Sequence, residues 1–247
     1  MRLCLDPGHG GYDPGAVGPA GLKEKDVVLA VALETASLLK NSPVEVTFTR
    51  TTDRVPWSAE KRRELAMRAE IANGSGADLF VSIHCNGAAD PGANGTETYY
   101  YEGSSRGAKA AEGIQHRLVA ALKLRDRGVK TADFYVLRKT AMPAVLAELA
   151  FITNPQEEKL LAQPDFRTRA ARAIAQGVAD YFGFAFPGEE RPPAEPRLVI
   201  DGRLVTGVPF HIVEGRTFVE LRAFVKEIGG KVDWDEGTRT IIVSTTP

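Results

Sequence analysis

The chain has 247 residues, of which 43% are hydrophobic, and its 31 basic and 32 acidic residues leave a formal net charge of −1. This length suits one sizeable domain and one small domain, and the core needs no disulfides for support. The balanced charge excludes a strongly basic nucleic-acid-binding surface, and no apolar run approaches the roughly 18 residues of a membrane span. We therefore expect neither nucleic acid nor a membrane as a partner.

The chain begins with a short apolar strand that starts at Arg2 and stops abruptly at Pro7 and three nearby glycines. A buried strand typically ends in this way at the rim of a sheet. In the loop that follows, His9 is the side chain able to bind a metal or move a proton. The flanking glycines allow the backbone to come close to whatever His9 contacts.

Helices and strands alternate along the next 180 residues. The pattern predicts helices at 27–40, 58–73, 105–123 and 165–182, and strands at 44–49, 78–84, 95–101, 134–138 and 144–149. This alternation indicates an α/β fold, a three-layer α/β/α sandwich around a mostly parallel sheet. Ligands of such sheets collect at the carboxyl ends of the strands.

Four residues with metal-binding or acid–base side chains fall at these ends. His9, His84 and Glu148 stand at or just beyond the ends of predicted strands, and Glu24 lies at the entrance of the first helix. Two histidines, one glutamate and a water form a known catalytic zinc arrangement, in which zinc lowers the pKa of the bound water to near 7. The remaining carboxylate would act as general base and then as proton donor.

Each of these residues also has a purely structural interpretation. A histidine in a glycine-rich loop often serves only as a hydrogen-bonding group, and a glutamate at a helix start complements the helix dipole. Glu148 is harder to explain in this way, because a carboxylate inside an apolar strand is costly to bury without a partner. Cys85 follows His84 directly and points to the opposite face of the strand, so it is a poor co-ligand.

An ordered series of motifs over residues 1–184 resembles the zinc-dependent N-acetylmuramoyl-L-alanine amidases. The resemblance implies that His9, Glu24 and His84 bind one zinc ion and that Glu148 is the catalytic glutamate. Asn86, two residues beyond His84 in an extended strand, is expected to orient the substrate or a ligand. The motifs are Leu5-Asp6-Pro7-Gly8-His9-Gly10-Gly11, Glu24-Lys25-Asp26, Arg50 with Asp53, Arg68 with Ala72-Asn73, Val81-Ser82-Ile83-His84, and Pro143-Ala144-Val145-Leu146-Ala147-Glu148.

The resemblance implies hydrolysis of the amide bond between the lactyl group of N-acetylmuramic acid and the first L-alanine of the peptidoglycan stem peptide. Two other functions stay open. A zinc carboxypeptidase acting on wall stem peptides would use the same residues, together with an arginine such as Arg68 or Arg138 to hold the terminal carboxylate. A non-catalytic cell-wall-binding protein that kept the fold is the second alternative.

The catalytic domain is predicted to span residues 1–185 and to be followed by a proline-rich linker at 186–196. Residues 197–247 form a predicted small α+β domain that begins with a hairpin around Asp201-Gly202. This part resembles the small N-terminal domain of copper amine oxidases, although its one histidine, His211, cannot make a copper site. Wall attachment is the expected role, and Trp234 either stacks on a sugar or closes the small core.

The setting in which the chain works is less constrained by the sequence. We expect a monomer that acts on peptidoglycan at the cell wall. The N-terminus enters a strand at once and leaves no room for a signal peptide. The chain is therefore expected to wait in the cytoplasm, as a phage-type lysin does, or to be a secreted protein without its leader. Only 63 residues separate His84 from Glu148, so we expect an open site without the inserted plug helix of some family members.

Overall fold

The computed structural model describes residues 1–57, 60–187, 198–200, 203–205, 208–213, 216–236 and 239–245. The chain forms two compact units, Met1–Glu190 and Arg191–Pro247. Among the helices of the described ranges, none combines the length and the apolar character that crossing a membrane requires.

The larger unit is built on a six-stranded sheet of order β2-β1-β3-β6-β4-β5. Strands β2, β1, β3 and β6 run parallel to one another, whereas β4 is antiparallel to β6 and parallel to β5. The predicted mostly parallel sheet is thus confirmed. The strands are β1 (Arg2–Pro7), β2 (Glu45–Phe48), β3 (Leu79–Asn86), β4 (Thr96–Tyr100), β5 (Asp126–Thr131) and β6 (Ala144–Phe151).

Helices cover both faces of this sheet, which confirms the three-layer sandwich. On one face α6 packs against both α1 and α3, and on the other face α2 packs against α4. The short helix α5 lies against β6 and α6. The helices are α1 (Glu24–Leu39), α2 (Lys61–Gly74), α3 (Ser105–Leu122), α4 (Tyr135–Lys139), α5 (Pro155–Leu161) and α6 (Pro164–Phe182).

The two faces of the central strands differ in polarity. The face under α1, α3 and α6 is apolar along its whole length and contributes Leu5, Ile83 and Ala147 to the main core. The face under α2 and α4 begins apolar but turns polar towards the carboxyl ends of the strands. Because side chains alternate along a strand, this second face carries in turn Cys4, Phe80 and Ala144, then Asp6, Ser82 and Leu146, and finally His84 and Glu148.

One predicted strand is wrong. Residues 134–138 begin with two aromatic residues and a valine, which are typical of strands, but the structure has helix α4 there. Val136 and Leu137 are consecutive and both buried against the smaller apolar cluster, which a strand with one covered face would not allow. The strand beside β4 is instead β5, whose sequence is mostly polar and includes Gly128 at φ 81°. The remaining helices and strands of the larger unit agree with prediction to within a few residues, except that α5 was not predicted.

In its described residues the smaller unit is an α+β arrangement of three antiparallel strand pairs and one helix, as predicted. Glu220 caps the helix, because its carboxylate accepts hydrogen bonds from the backbone N–H groups of Arg222 and Ala223. Trp234 is 52% exposed and does not close the core. The linker beyond residue 187 and the turns at 201–202 and 214–215 lie outside the described residues. The elements are β7 (Leu198–Ile200), β8 (Arg203–Val205), β9 (Phe210–Val213), β10 (Arg216–Val219), α7 (Leu221–Glu227), β11 (Gly230–Asp235) and β12 (Thr240–Thr245).

Candidate metal centre and active site

The loop after β1 places His9 directly against His84. His9 itself has a left-handed backbone, with φ of 59°. The centroids of the two imidazole rings lie 4.9 Å apart. A Cβ atom on Gly8 would lie 2.3 Å from Cε1 of His84. Glycine is therefore required at position 8 for the loop to pass over the His84 ring.

Glu24 lies beneath both histidines and is only 3% exposed. Its Oε1 is 2.9 Å from Nδ1 of His84, and its Oε2 is 3.1 Å from Nε2 of His9. The backbone N–H groups of Ala16 and Cys85 donate to the same carboxylate at 2.8 and 2.9 Å. Burial alone would raise the pKa of Glu24, but the hydrogen bonds of His84 and His9 outweigh burial and hold the pKa well below its ordinary value. Glu24 is thus an ionised acceptor facing two imidazoles.

The three side chains fit a zinc ion. One ligand atom from each of His9, Glu24 and His84 lies within 4.8 Å of the others, and ligand atoms of a tetrahedral zinc site are roughly 3.3 Å apart. A Cβ atom on Gly15 would lie 2.6 Å from Oε2 of Glu24, so the backbone leaves this carboxylate its space. Two imidazoles and one carboxylate are also the donor set of catalytic zinc sites. These residues thus form the candidate metal centre.

Asp13 orients the first of these ligands. Its Oδ2 lies 2.7 Å from Nδ1 of His9, which turns Nε2 of the same ring towards Glu24. Burial lowers the pKa of His9, but the hydrogen bonds to Glu24 and Asp13 outweigh burial and raise it. Metal-binding histidines commonly use their second ring nitrogen in this way. No role was predicted for Asp13, although its position four residues after His9 was a usable signal.

A buried arginine, Arg68, holds the His9 loop from one side. Its guanidinium donates to the carbonyl oxygens of Pro7 at 2.9 Å and His9 at 2.5 Å. The same group pairs with Asp6 at 2.7 Å and Glu64 at 2.8 Å. Burial would raise the pKa of Asp6, but the charge of Arg68 outweighs burial and lowers it. The Asp6–Arg68 pair therefore stays ionised and fixes the loop to the sheet.

Arg50 holds the loop from the other side. It donates to the carbonyl oxygens of Pro7 at 3.0 Å, Gly8 at 2.8 Å and Lys25 at 2.9 Å. Lys25 is the neighbour of Glu24 in the first turn of α1. One side chain thus connects the loop that carries His9 to the helix that carries Glu24.

Glu148 lies beside the candidate metal centre on the next strand. It is the register partner of His84 in the β3–β6 pairing and lines the same cavity as both histidines. Its Oε2 atom is buried and has no hydrogen-bond partner among the described residues. Burial, reinforced by the charges of Glu24 and Glu97, raises the pKa of Glu148 well above its ordinary value. A carboxyl group in this condition is suited to proton transfer.

The cavity above these residues has a volume of about 250 Å³ and a mixed lining. Its polar and charged lining includes Asp6, His9, Asp13, Glu64, Arg68, His84 and Glu148. Its apolar lining comes from α2, α4, β6 and the residue before α4, and consists of Leu65, Phe134, Tyr135, Val136 and Leu146. A mostly apolar pocket with a few convergent polar groups is typical of small-molecule and substrate sites.

Asn86 lies at the end of β3, where the pairing with β6 shifts register between His84 and Asn86. Its side-chain amide donates to Oε1 of Glu97 at 2.5 Å. The role of Asn86 towards a substrate or ligand stays a prediction. Glu97 itself was missed by the sequence analysis. A carboxylate inside the strand Thr96–Tyr100 was the same signal that singled out Glu148.

A mostly parallel α/β sheet with two histidines and two glutamates at its carboxyl edge defines an α/β protein with a candidate metal centre of the hydrolase type. The model of the N-acetylmuramoyl-L-alanine amidase family matches residues 3–180. The chain belongs to this family, and it is an enzyme. The model of the copper amine oxidase N-terminal domain matches residues 196–245. Both resemblances, in their order along the chain, are confirmed.

Relatives and solved structures agree with this assignment. The chain is 42% identical over 183 residues to the uncharacterized protein YqiI of Bacillus subtilis, covering 73% of this chain and 84% of that protein. It is 41% identical over 183 residues to the N-acetylmuramoyl-L-alanine amidase LytC of the same species, covering 73% of this chain but only 35% of LytC. The catalytic domain of the amidase CwlV of Bacillus (Paenibacillus) polymyxa superimposes with a TM-score of 0.69 at 37% identity, covering 75% of this chain and 99% of that one.

Proposed function

We propose that the larger unit is a zinc-dependent amidase that cleaves the bond between the lactyl group of N-acetylmuramic acid and L-alanine of the stem peptide. The observation that carries the proposal is the carboxylate of Glu148, whose buried Oε2 atom has no hydrogen-bond partner among the described residues, beside the cluster of His9, Glu24 and His84. In this proposal His9, Glu24 and His84 hold the zinc ion. The relative LytC, an N-acetylmuramoyl-L-alanine amidase by name, supports the choice of bond.

The residues of the chain have separable roles in this reaction. When bound, zinc supplies a lowered pKa for a coordinated water and a Lewis acid for the carbonyl oxygen. Asp13 keeps Nε2 of His9 turned inward. Glu148 accepts the proton of the attacking water and then delivers it to the amide nitrogen that leaves with L-alanine. The apolar side chains that line the cavity, such as Leu65 and Leu146, lie beside these polar groups.

The carboxypeptidase alternative is not favoured by the two arginines that were considered for it. Arg68 is 2% exposed and already donates to Asp6, Glu64 and two backbone carbonyls. Arg138 pairs with Asp133 outside the cavity. Neither is left in a position to clamp the terminal carboxylate of a peptide.

The test is mass spectrometry of the soluble products from purified peptidoglycan. We expect the enzyme to release stem peptides with a free N-terminal L-alanine, and we expect chelation or Glu148→Ala to abolish the release. Glu112→Ala, on the exposed side of α3, is the matched control and should cleave normally. Loss of only a C-terminal D-alanine would establish the carboxypeptidase instead. Binding without any product would establish the non-catalytic wall-binding protein.

We also propose that the smaller unit attaches the enzyme to a polymer of the cell wall, and that the chain acts there as a monomer because one chain supplies all four site residues. Trp234 and Ile241 are register partners on β11 and β12, and their side chains are 52% and 55% exposed. An exposed tryptophan on a strand is suited to stacking on a sugar ring. In sedimentation with purified walls, Trp234→Ala in the full chain should lower the bound fraction, whereas Ile228→Ala should not. Equal binding of both variants and the parent would refute this role for Trp234.

A further inference from the structure

A second polar cluster lies beside the candidate metal centre, and it is organised around Glu97. This carboxylate is only 2% exposed. Its Oε1 accepts hydrogen bonds from Asn86 at 2.5 Å and from the hydroxyl of Tyr99 at 2.8 Å. Its Oε2 accepts from Arg127 at 2.7 Å and from Lys130. Every partner is a donor, so the carboxylate acts as an anchor for the groups around it.

The cluster adjoins the cavity on the side of β4. Glu97 is the register partner of Glu148 in the antiparallel β4–β6 pairing, so the two side chains are neighbours on one face of the sheet. Tyr99 lies on the same face two residues further along. Its ring centroid is 5.2 Å from that of Phe134, which lines the cavity. Lys130 is the register partner of Tyr99 on β5.

The two cations of the cluster are more exposed to solvent than its carboxylate. Two cations, Arg127 and Lys130, pair with the single charge of Glu97. Their side chains are 27% and 38% exposed, against 3% for that of Glu97. An ammonium group has three donors, and among the described residues one donor of Lys130 is engaged by Glu97. Lys130 can therefore bind an anion without giving up its anchor.

The proposed substrate carries such an anion on one side of the scissile bond only. The muramic acid side is uncharged once its lactyl carboxyl is in amide linkage. On the peptide side, the residue after L-alanine is a D-glutamate linked through its side chain, which leaves its α-carboxyl group free or amidated. A cationic subsite next to Glu148 therefore matches the peptide side of the bond.

We propose that Lys130, supported by Arg127 and anchored by Glu97, is the subsite that binds the α-carboxylate of the second stem residue. This inference rests on the proposed function. It makes the enzyme selective for stems in which this carboxyl group is free over stems in which it is amidated. Lys130 is then a specificity-determining residue, distinct from the groups that carry out hydrolysis.

The test uses two soluble muramyl tripeptides that differ only at this group, with the α-carboxyl of the D-glutamate free in one and amidated in the other. The zinc-loaded full chain is expected to prefer the free acid by about tenfold in kcat/KM, mainly through a lower KM. A factor of about tenfold is the value of one good contact to a charged group. Lys130→Met should lose this preference, because its kcat/KM for the free acid should fall to the value for the amidated tripeptide. Lys130→Arg should restore most of the preference. Lys109→Met, an exposed lysine on α3, should behave as the parent.

The outcomes separate the subsite from the activity itself. If the parent and Lys130→Met cleave both tripeptides with equal kcat/KM, the subsite is refuted and the amidase stands. If Lys130→Met loses both activities in parallel, Lys130 has a structural role and the subsite is likewise refuted. If the parent cleaves neither tripeptide nor purified peptidoglycan, the proposed function fails and this inference fails with it.

Discussion

Asp13 orients His9 through one hydrogen bond of 2.7 Å, and this contact can be tested separately from the metal ligands. Asp13→Asn keeps the size of the side chain but removes a charge. That charge favours the tautomer of His9 in which Nδ1 carries the proton and Nε2 is left to bind the metal. We expect zinc affinity to fall by about 10-fold to 100-fold, as for other residues that orient a metal-binding histidine. Competition with a chromophoric chelator measures the change. Asp180→Asn, on α6, is the control, and unchanged affinity in Asp13→Asn would contradict the proposed role.

Arg68 has a structural role that is measurable in the free energy of unfolding. Arg68→Met leaves the buried carboxylate of Asp6 without its cation and removes one donor from each of the carbonyl groups of Pro7 and His9. Breaking a buried ion pair from one side costs about 3–5 kcal/mol, and urea denaturation should detect a loss of this size. Arg62→Met, at an exposed position of the same helix α2, should change stability by less than about 0.5 kcal/mol. A similar small loss in Arg68→Met would show that the Arg68 contacts contribute little.

The candidate ligands were predictable from the sequence because strand ends of a parallel sheet meet at one edge. His9, His84 and Glu148 each mark such an end, and Glu24 opens the helix after the first strand. The family resemblance then assigned three of these residues to zinc. The residues that orient them were not assigned. Arg68 contacts the His9 carbonyl 59 residues away in the chain, and no local pattern fixes where so long a side chain will reach.

At the scale of elements, the close approach of the β1 loop to β3 depends on the absence of a side chain at Gly8. In Gly8→Ala the added Cβ would overlap the His84 ring, which must then rotate away from Glu24. We expect zinc affinity and amidase activity each to fall at least about tenfold. Circular dichroism should show that the fold is retained. Gly74→Ala is the matched control, since a Cβ there meets no atom within 4 Å. This variant should be active and unchanged or stabilised by up to about 1 kcal/mol.

Among the helices and strands, the central strands were predictable from the sequence, whereas β5, α4 and α5 were not. Periodicity identified the central strands because they are covered on both faces and nearly continuous in apolar residues. Edge strand β5 has little apolar content, and short helix α4 has strand-like residues whose burial is decided by contact with α2. Helix α5 was signalled only by Asn154 followed by Pro155, where Asn154 caps the helix.

For the molecule as a whole, Glu97 is expected to contribute to acid unfolding. Burial opposes ionisation, but Lys130 and Arg127 outweigh it and lower the pKa of Glu97 from 4.5 to about 2. A group with a depressed folded-state pKa stabilises the protein above its unfolded pKa, and this contribution is lost as pH falls from about 4.5 through about 2. Urea denaturation between pH 7 and pH 2.5 should therefore show a smaller decline for Glu97→Gln than for the parent. An equal decline in the free energy of unfolding of Glu97→Gln and the parent would contradict this role of Glu97. Glu112→Gln is the control and should decline as the parent does.

The site is also expected to work without an activating partner. The chain between His84 and Glu148 forms β4, α3, β5 and α4, and the cavity next to both residues has a volume of about 250 Å³. Hydrolysis of a soluble muramyl peptide by the purified zinc-loaded chain should therefore be linear from mixing. A lag that a second protein removes would contradict an open site.

The lining of the cavity comes from different parts of the chain. The candidate metal ligands and Glu148 lie at strand ends and at the start of α1, whereas Phe134, Tyr135 and Val136 form one short stretch of the apolar lining. Substitutions in that stretch can accumulate without displacing any ligand. Natural selection can therefore alter substrate preference and preserve the reaction at the same time. Homologous genes can then encode enzymes that act on different substrates by one mechanism.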